Sequence, residues 1–246
     1  MTIIIYAEEY LMRINKFISQ NGVASRRAAD KLILNGAVEI NDRKAVLGDN
    51  VEEDDVVKVN GTIIGKTAVA NEYYVMYKPK GYLCTVADDR GRKTIMDLLP
   101  SEAGRVFPVG RLDYETEGLL LLMSDGPLAY KLTNPANEIP KTYVAKVEGA
   151  VTEQMLNRIR PGIEIEKGVV TKKCKMKILE TDKDFTRIQI VLTEGKNREI
   201  RKMFEAIGKN VAFLKRTKIG DISLRGMNRG DVRKLTEEEI FYLSNL

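Results

Sequence analysis

The chain has 246 residues, enough for one large domain with its own core and a small one beside it. Lys and Arg number 40 against 35 Asp and Glu, a net charge of +5, which favours a polyanionic partner without amounting to a polycationic tail. Histidine is absent, and the two cysteines, Cys84 and Cys174, lie far apart, which excludes histidine catalysis, a metal cage and a disulfide framework. Any chemistry must therefore run on Asp, Glu, Tyr, Lys and Arg. No uninterrupted apolar stretch approaches the length of a membrane span, and the first residues lack the basic start and long apolar centre of a signal peptide. The expectation is a cytoplasmic protein with no membrane partner. The opening MTIIIYAEEYL, residues 1–11, fits no later element, whereas Met12 begins a well-patterned segment. Two readings of it stand open: an N-terminal arm, or an extra segment upstream of a native start at Met12.

From Met12 to Gly61 the pattern predicts two short helices followed by short strands. Asn21-Gly22 closes the first helix, and Ser25 is a good N-cap for a second that runs to Asn35-Gly36. Ala28, Ala29, Leu32 and Ile33 share one face of the second helix. Arg26 and Arg27 occupy its first turn, where the helix dipole disfavours cations by a few tenths to about 1 kcal/mol. An external anion explains that charge better than helix stability does, because a phosphate would meet both guanidiniums and the free N–H groups of the helix start. A merely solvated pair is the alternative. Through NKFIS, GVASRRAADKLI, GAVEIN and DDVVKVNG, in that order and spacing, Met12–Gly61 resembles the S-four RNA-binding domain. The resemblance implies RNA contacts at Arg13, Lys16, Arg26 and Arg27. Residues 62–71 read as a linker, with a second domain over 72–246.

In that second domain strands and helices mix, with turn signals at Lys80-Gly81, Asp125-Gly126, Pro161-Gly162, Glu194-Gly195 and Gly208. Alternation in KTYVAKVEG and FTRIQIVLTEG predicts half-buried antiparallel strands, while VTEQMLNRI and LTEEEIFYL have helical spacing. The predicted fold class is α+β with a mainly antiparallel sheet. Val109-Gly110 ends one strand and Leu119–Met123 is a buried one, so Arg111, Leu112 and Asp113 fall in the connection. Ser124 and Pro127 mark the start of another helix. As a turn residue Asp113 needs no function, since Asp favours turns and Arg111 can pair with it or with Glu115.

The wider context changes that reading. RVFPVGRLDYETEGLLLLMSDG resembles the central motif of the pseudouridine synthases that modify ribosomal RNA, in the subfamily carrying an S-four domain. YKPKGYLCT upstream, and KTYVAKVEG and LTEGKNREIRKMFEAIG downstream, match the family's other motifs in order. By this resemblance Asp113 is the catalytic aspartate of a reaction that cleaves the N-glycosidic bond of a chosen uridine, rotates the base in place and rejoins it to the ribose through carbon. A carboxylate suits the task as nucleophile or as base toward the sugar, and which of the two it is stays open. The resemblance implies neither a metal nor an organic cofactor. It assigns Tyr143, on a strand face with Ala145 and Val147, to stacking on the target base and to removing the proton from the new carbon link. By composition alone, Tyr143 reads as a core or interface tyrosine.

If Asn197 caps a helix ending at Gly208, then Ile200, Met203, Phe204 and Ile207 form its apolar face, with Arg198, Lys202 and Glu205 opposite. Arg201 falls at the border, where it can aim at a cleft between helix and sheet, and it is the expected charged partner that keeps Asp113 ionised. The competing assignment is an i,i+4 surface pair with Glu205, worth a few tenths of a kcal/mol. Glu199 stands where the family often has Gln, and Lys202 where it often has Arg. Lys196 and Arg198 are candidate phosphate contacts, with solvated surface charge as the alternative.

The expected function is site-specific isomerisation of one uridine in ribosomal RNA, 23S rather than 16S, in a hairpin loop or junction. The expected partner is ribosomal RNA or a ribosome assembly intermediate, engaged by a monomer. A noncatalytic RNA-binding assembly factor on the same fold is the alternative. A glycosidase built on Asp113 with Glu115 or Glu117 needs two carboxyls on opposite sides of a sugar, which the sequence does not fix.

Overall fold

The computed structural model describes residues 11–65 and 70–246, and the chain divides between Asn71 and Glu72 into two units. The expectation for the opening segment falls on residues 1–10, outside the described residues.

In the first unit, helices α1 (Ile14–Gln20) and α2 (Arg26–Leu34) accompany strands β1 (Val38–Ile40), β2 (Arg43–Lys44), β3 (Val57–Val59) and β4 (Thr62–Ile64), ordered β2-β1-β3-β4. The Ser25 hydroxyl accepts from the Ala28 N–H at 3.1 Å, the N-cap bond expected of it. Ile14, Ile18, Ala29 and Ile33 pack on Val38 and Val57 in one core. Ala28 is exposed, a correction to the four-residue apolar face: it lies about 100° round the helix from Ala29. The segment expected as a linker begins as a strand, because Asn60 and Gly61 both adopt positive φ (49° and 77°) and turn Thr62 back onto Val59. An Asn-Gly pair is the residue combination such a two-residue hairpin requires.

The second unit is a nine-stranded sheet with helices packed on it. Its strands are β5 (Tyr73–Lys78), β6 (Phe107–Val109), β7 (Glu117–Met123), β8 (Lys141–Glu148), β9 (Lys175–Thr181), β10 (Phe185–Leu192), β11 (Val211–Ile219), β12 (Ile222–Ser223) and β13 (Val232–Lys234). The order is β9-β10-β8-β11-β7-β5-β13, with β12 on β11 and β6 on β7. Among these pairings only β11 with β7 is parallel, so the unit is α+β with a mainly antiparallel sheet. The helices are α3 (Gly126–Thr133), α4 (Glu153–Ile159), α5 (Glu199–Glu205) and α6 (Glu237–Ser244). No helix among the described residues is long and apolar enough to cross a membrane.

The leucine run of β7 is buried on both faces. Leu120 and Leu122 enter a core with Tyr74, Met76 and Ile95, while Leu119, Leu121 and Met123 enter another with α3 and α6 residues. A continuous apolar run rather than an alternating one is what such a central strand needs. One edge of β7 pairs with β5, and the other is shared by β6 toward its end and β11 at its start. The connection from Gly110 to Thr116 crosses where β6 leaves and β11 arrives.

Two helix starts differ from expectation. Asp125, not Ser124, caps α3, its carboxylate accepting from Leu128 N–H at 2.9 Å, while the Ser124 hydroxyl accepts from Glu72 N–H at 2.9 Å. Helix α5 is capped by Arg198 at φ 51° without a side-chain bond, and Asn197 instead accepts from the Lys202 ammonium at 3.3 Å.

The meeting of β7 and β11 tolerates only glycine at 118. Gly118 has φ +123°, and a Cβ there would stand 2.6 Å from the Arg216 backbone nitrogen and closer still to its carbonyl. Gly118→Ala is expected to destabilise the second unit by at least about 2–3 kcal/mol. Urea unfolding measures this, and a midpoint equal to the native one contradicts it.

Candidate active site

The turn carrying Asp113 is fixed from several sides. Lys78 ends the buried strand β5, and its fully buried ammonium donates to the carbonyls of Pro79 (2.9 Å), Asp113 (3.2 Å) and Thr116 (2.9 Å). Thr116 N–H donates back to Asp113 O at 3.0 Å, and Gly81 N–H donates to Tyr114 O at 2.9 Å. Leu112 N–H donates to the Cys84 sulfur at 3.3 Å. Burial pushes the Lys78 ammonium below its ordinary pKa, while Cys84, Asp113, Glu115 and Glu117 push the other way. With both ends of the turn held, the half-buried Asp113 side chain is presented to a cavity of about 450 Å³.

Tyr143 and Arg216 face that same cavity from adjacent strands, where they are register partners between β8 and β11. A bulge between Thr142 and Tyr143 resets the pairing there, since Thr142 faces Lys218 and Tyr143 faces Arg216. Arg216 is 3% exposed and its Nε donates to Leu119 O at 2.7 Å, stitching the parallel seam. Lys141, also lining the cavity, donates to Ile139 O at 3.1 Å, and burial followed by the Arg216 charge holds it below its ordinary pKa. Arg111 and Arg198 are exposed at the same cavity.

A carboxylate pair closes one end. Glu199 is buried, its Oε2 accepting from Lys196 N–H at 2.9 Å. Burial first, then the neighbouring Glu194 carboxylate, push Glu199 up to about 7. Burial works to raise Glu194 as well, but its bonds to Glu199 and Lys196 outweigh this and hold it below the ordinary value. Near neutrality the pair therefore shares one proton, resident on Glu199.

Of the residues singled out in the sequence, Asp113, Tyr143, Lys196 and Arg198 line one cavity. Arg201 is buried behind it, its Nη1 donating to Val211 O at 2.5 Å, and no ion pair within 4 Å joins it to Asp113. The Asp113 charge still favours the charged guanidinium through space, against burial and Arg198. Lys196 spends its ammonium on Glu194, and Lys202 pairs with Glu166 at 2.7 Å, so Arg198 is the less committed cation on that edge. Arg13, Lys16, Arg26 and Arg27 belong to the first unit. Arg26 and Arg27 are exposed with no acidic residue in their helix turn, Lys16 is half-buried, and Arg13 donates to Gly48 O. Sequence reading missed Lys78, Lys141, Glu194 and Arg216. Alternation along VAFLKRTKI carried a signal for the last, since Arg216 is in phase with the buried Leu214.

The model of the RNA pseudouridylate synthase family matches residues 72–206, and that of the S4 domain matches residues 12–57. Ribosomal large subunit pseudouridine synthase B of Bacillus subtilis (strain 168) is 42% identical over 230 residues, 93% of this chain and 93% of its own length. Dual-specificity RNA pseudouridine synthase RluF of Escherichia coli (strain K12) is 39% identical over 236 residues, 96% of this chain and 79% of its own. The crystal structure of a pseudouridylate synthase superposes with a TM-score of 0.68 at 29% identity, covering 94% of this chain and 99% of that one.

The carboxylate pair has a pH consequence. Glu199 is raised from an ordinary 4.5 to about 7 on folding, so its favourable contribution is complete below the lower value and is lost as pH rises through the upper. Glu199→Gln keeps the neutral shape and removes that loss. Its melting temperature is expected to gain on the native protein between about pH 5 and pH 8, and parallel melting curves across that range contradict the assignment.

Proposed function

The chain belongs to the RNA pseudouridylate synthase family, and on that premise we propose that it isomerises one uridine of ribosomal RNA, in the large subunit. The observation that supports this best is that Asp113, on a turn tied to the sheet, lines one cavity with the aromatic side chain of Tyr143. The large-subunit assignment follows the name of the Bacillus subtilis relative.

The target uridine leaves its RNA stack to enter the cavity, and stacking on Tyr143 recovers about 1–3 kcal/mol of that penalty. Asp113 acts on the ribose as nucleophile or base, the bond between C1′ and N1 breaks, the uracil turns, and its C5 bonds to C1′. The proton displaced from C5 is removed with Tyr143 alongside. Arg201 supplies positive charge behind the cavity. Arg198 and Arg111, exposed at the cavity mouth, meet the flanking phosphates, with Lys196 beside them. Arg13, Lys16, Arg26 and Arg27 of the S4 domain grip structured RNA. The protein works as a monomer in the cytoplasm, on ribosomal RNA or an assembly intermediate.

A pseudouridine map of ribosomal RNA from cells lacking the gene tests this. One large-subunit site is expected to disappear, to return with the native gene and to stay absent with Asp113→Asn. An unchanged map, or full restoration by the Asn variant, replaces the enzyme reading with that of an RNA-binding assembly factor.

A further inference from the structure

Residues that line the cavity carry polar capacity that the groups assigned above do not use. Among the described residues, two that line it carry a buried side-chain atom without a hydrogen-bond partner, Thr116 Oγ1 and Arg216 Nη2. Orphaned polar atoms are rare in folded proteins, and two of them in residues that line one cavity point to a polar ligand there. Arg216 is the most telling. The residue is 3% exposed, its Nε is taken by Leu119 O, and it joins none of the ion pairs among the described residues. A buried cation without a counter-charge is unfavourable, and a group that develops negative charge during a reaction would relieve it.

The position selects which group that is. Arg216 stands directly across from Tyr143 in the β8–β11 register, and Gly118, through its close approach, fixes the Arg216 backbone. A base stacked on Tyr143 brings its edge beside that guanidinium, whereas phosphates meet the exposed Arg111 and Arg198 at the mouth. Resting on the uridine reading, we propose that Arg216 is a further catalytic residue, whose Nη2–H donates to a carbonyl oxygen of the target uracil. When C1′–N1 breaks, the bonding pair stays with the uracil and spreads onto its two carbonyl oxygens, so the hydrogen bond strengthens as the bond breaks. No proton leaves Arg216. The charge disperses when C5 bonds to C1′ and the C5 proton is lost, with N1 protonated in the product.

The test uses the full chain and the RNA segment identified by the pseudouridine map, carrying uridine, 2-thiouridine or 4-thiouridine at the target. Sulfur is the weaker acceptor, so one of the two substitutions marks the oxygen that Arg216 holds. Single-turnover rates are measured for the native protein, Arg216→Met and Arg216→Lys, with melting curves to confirm folding. Arg216→Met is expected to slow the reaction by more than about 100-fold while RNA affinity stays within about threefold. The native protein is expected to be slowed by one thio-substitution to which Arg216→Met is indifferent, with Arg216→Lys intermediate. Equal sensitivity to both substitutions in native and variant proteins overturns the proposal, as does a native rate in Arg216→Met. If Arg216→Met does not fold, Arg216→Lys decides, and an unchanged sulfur effect there overturns it. Failure of the native protein on unsubstituted RNA would count against the uridine reading instead.

Discussion

The buried ammonium of Lys78 is the interaction on which the site depends. Withdrawing such an ion from water carries a penalty of several kcal/mol unless its protons find acceptors. Here they find three carbonyls, two of which, Asp113 O and Thr116 O, bracket the turn that carries Asp113. Strand β5 is thereby tied to a segment 35 residues away, and Asp113 cannot drift without stranding a buried charge. A loop is ordinarily the mobile part of a domain, but this one inherits the rigidity of the sheet.

The residues that follow extend the same logic in consecutive positions. Glu117 is buried and accepts from Tyr77 OH at 2.8 Å and from Arg229 Nε at 2.9 Å. Gly118 lets β11 approach in parallel, and Leu119 O holds the Arg216 guanidinium. Four residues from Thr116 to Leu119 thus connect the acidic turn, the parallel seam and the cationic side of the cavity. Balance among the charges follows from burial: Glu199 retains a proton at a pH where surface carboxylates have lost theirs, which limits negative charge at that end of the cavity.

Much of this was legible in the sequence because it is local. Ser25 as a cap, the alternation of KTYVAKV and the glycine-bounded turn before a leucine run are read over a few neighbours, and the family motifs concentrate there. The misses have two origins. Some were local choices between similar residues: Asp125 rather than Ser124 caps α3, because Ser124 is engaged by Glu72, and the Asn60-Gly61 hairpin was read as the approach to a linker. Others were long-range. Nothing adjacent to Lys78 announces Thr116, and the bond from Arg216 to Leu119 spans 97 residues. The distance between Asp113 and Arg201 is likewise a tertiary quantity: helical periodicity put Arg201 at a border, but only packing turned its guanidinium to Val211 O.

The most direct measurement is tritium release from a large-subunit RNA transcript labelled at uridine C5, incubated with the purified full chain. The account predicts release that stops at one equivalent per RNA, because bonding C5 to C1′ expels a single C5 hydrogen at a single site. No release, or release spread over many uridines, would contradict a site-specific isomerase centred on Asp113.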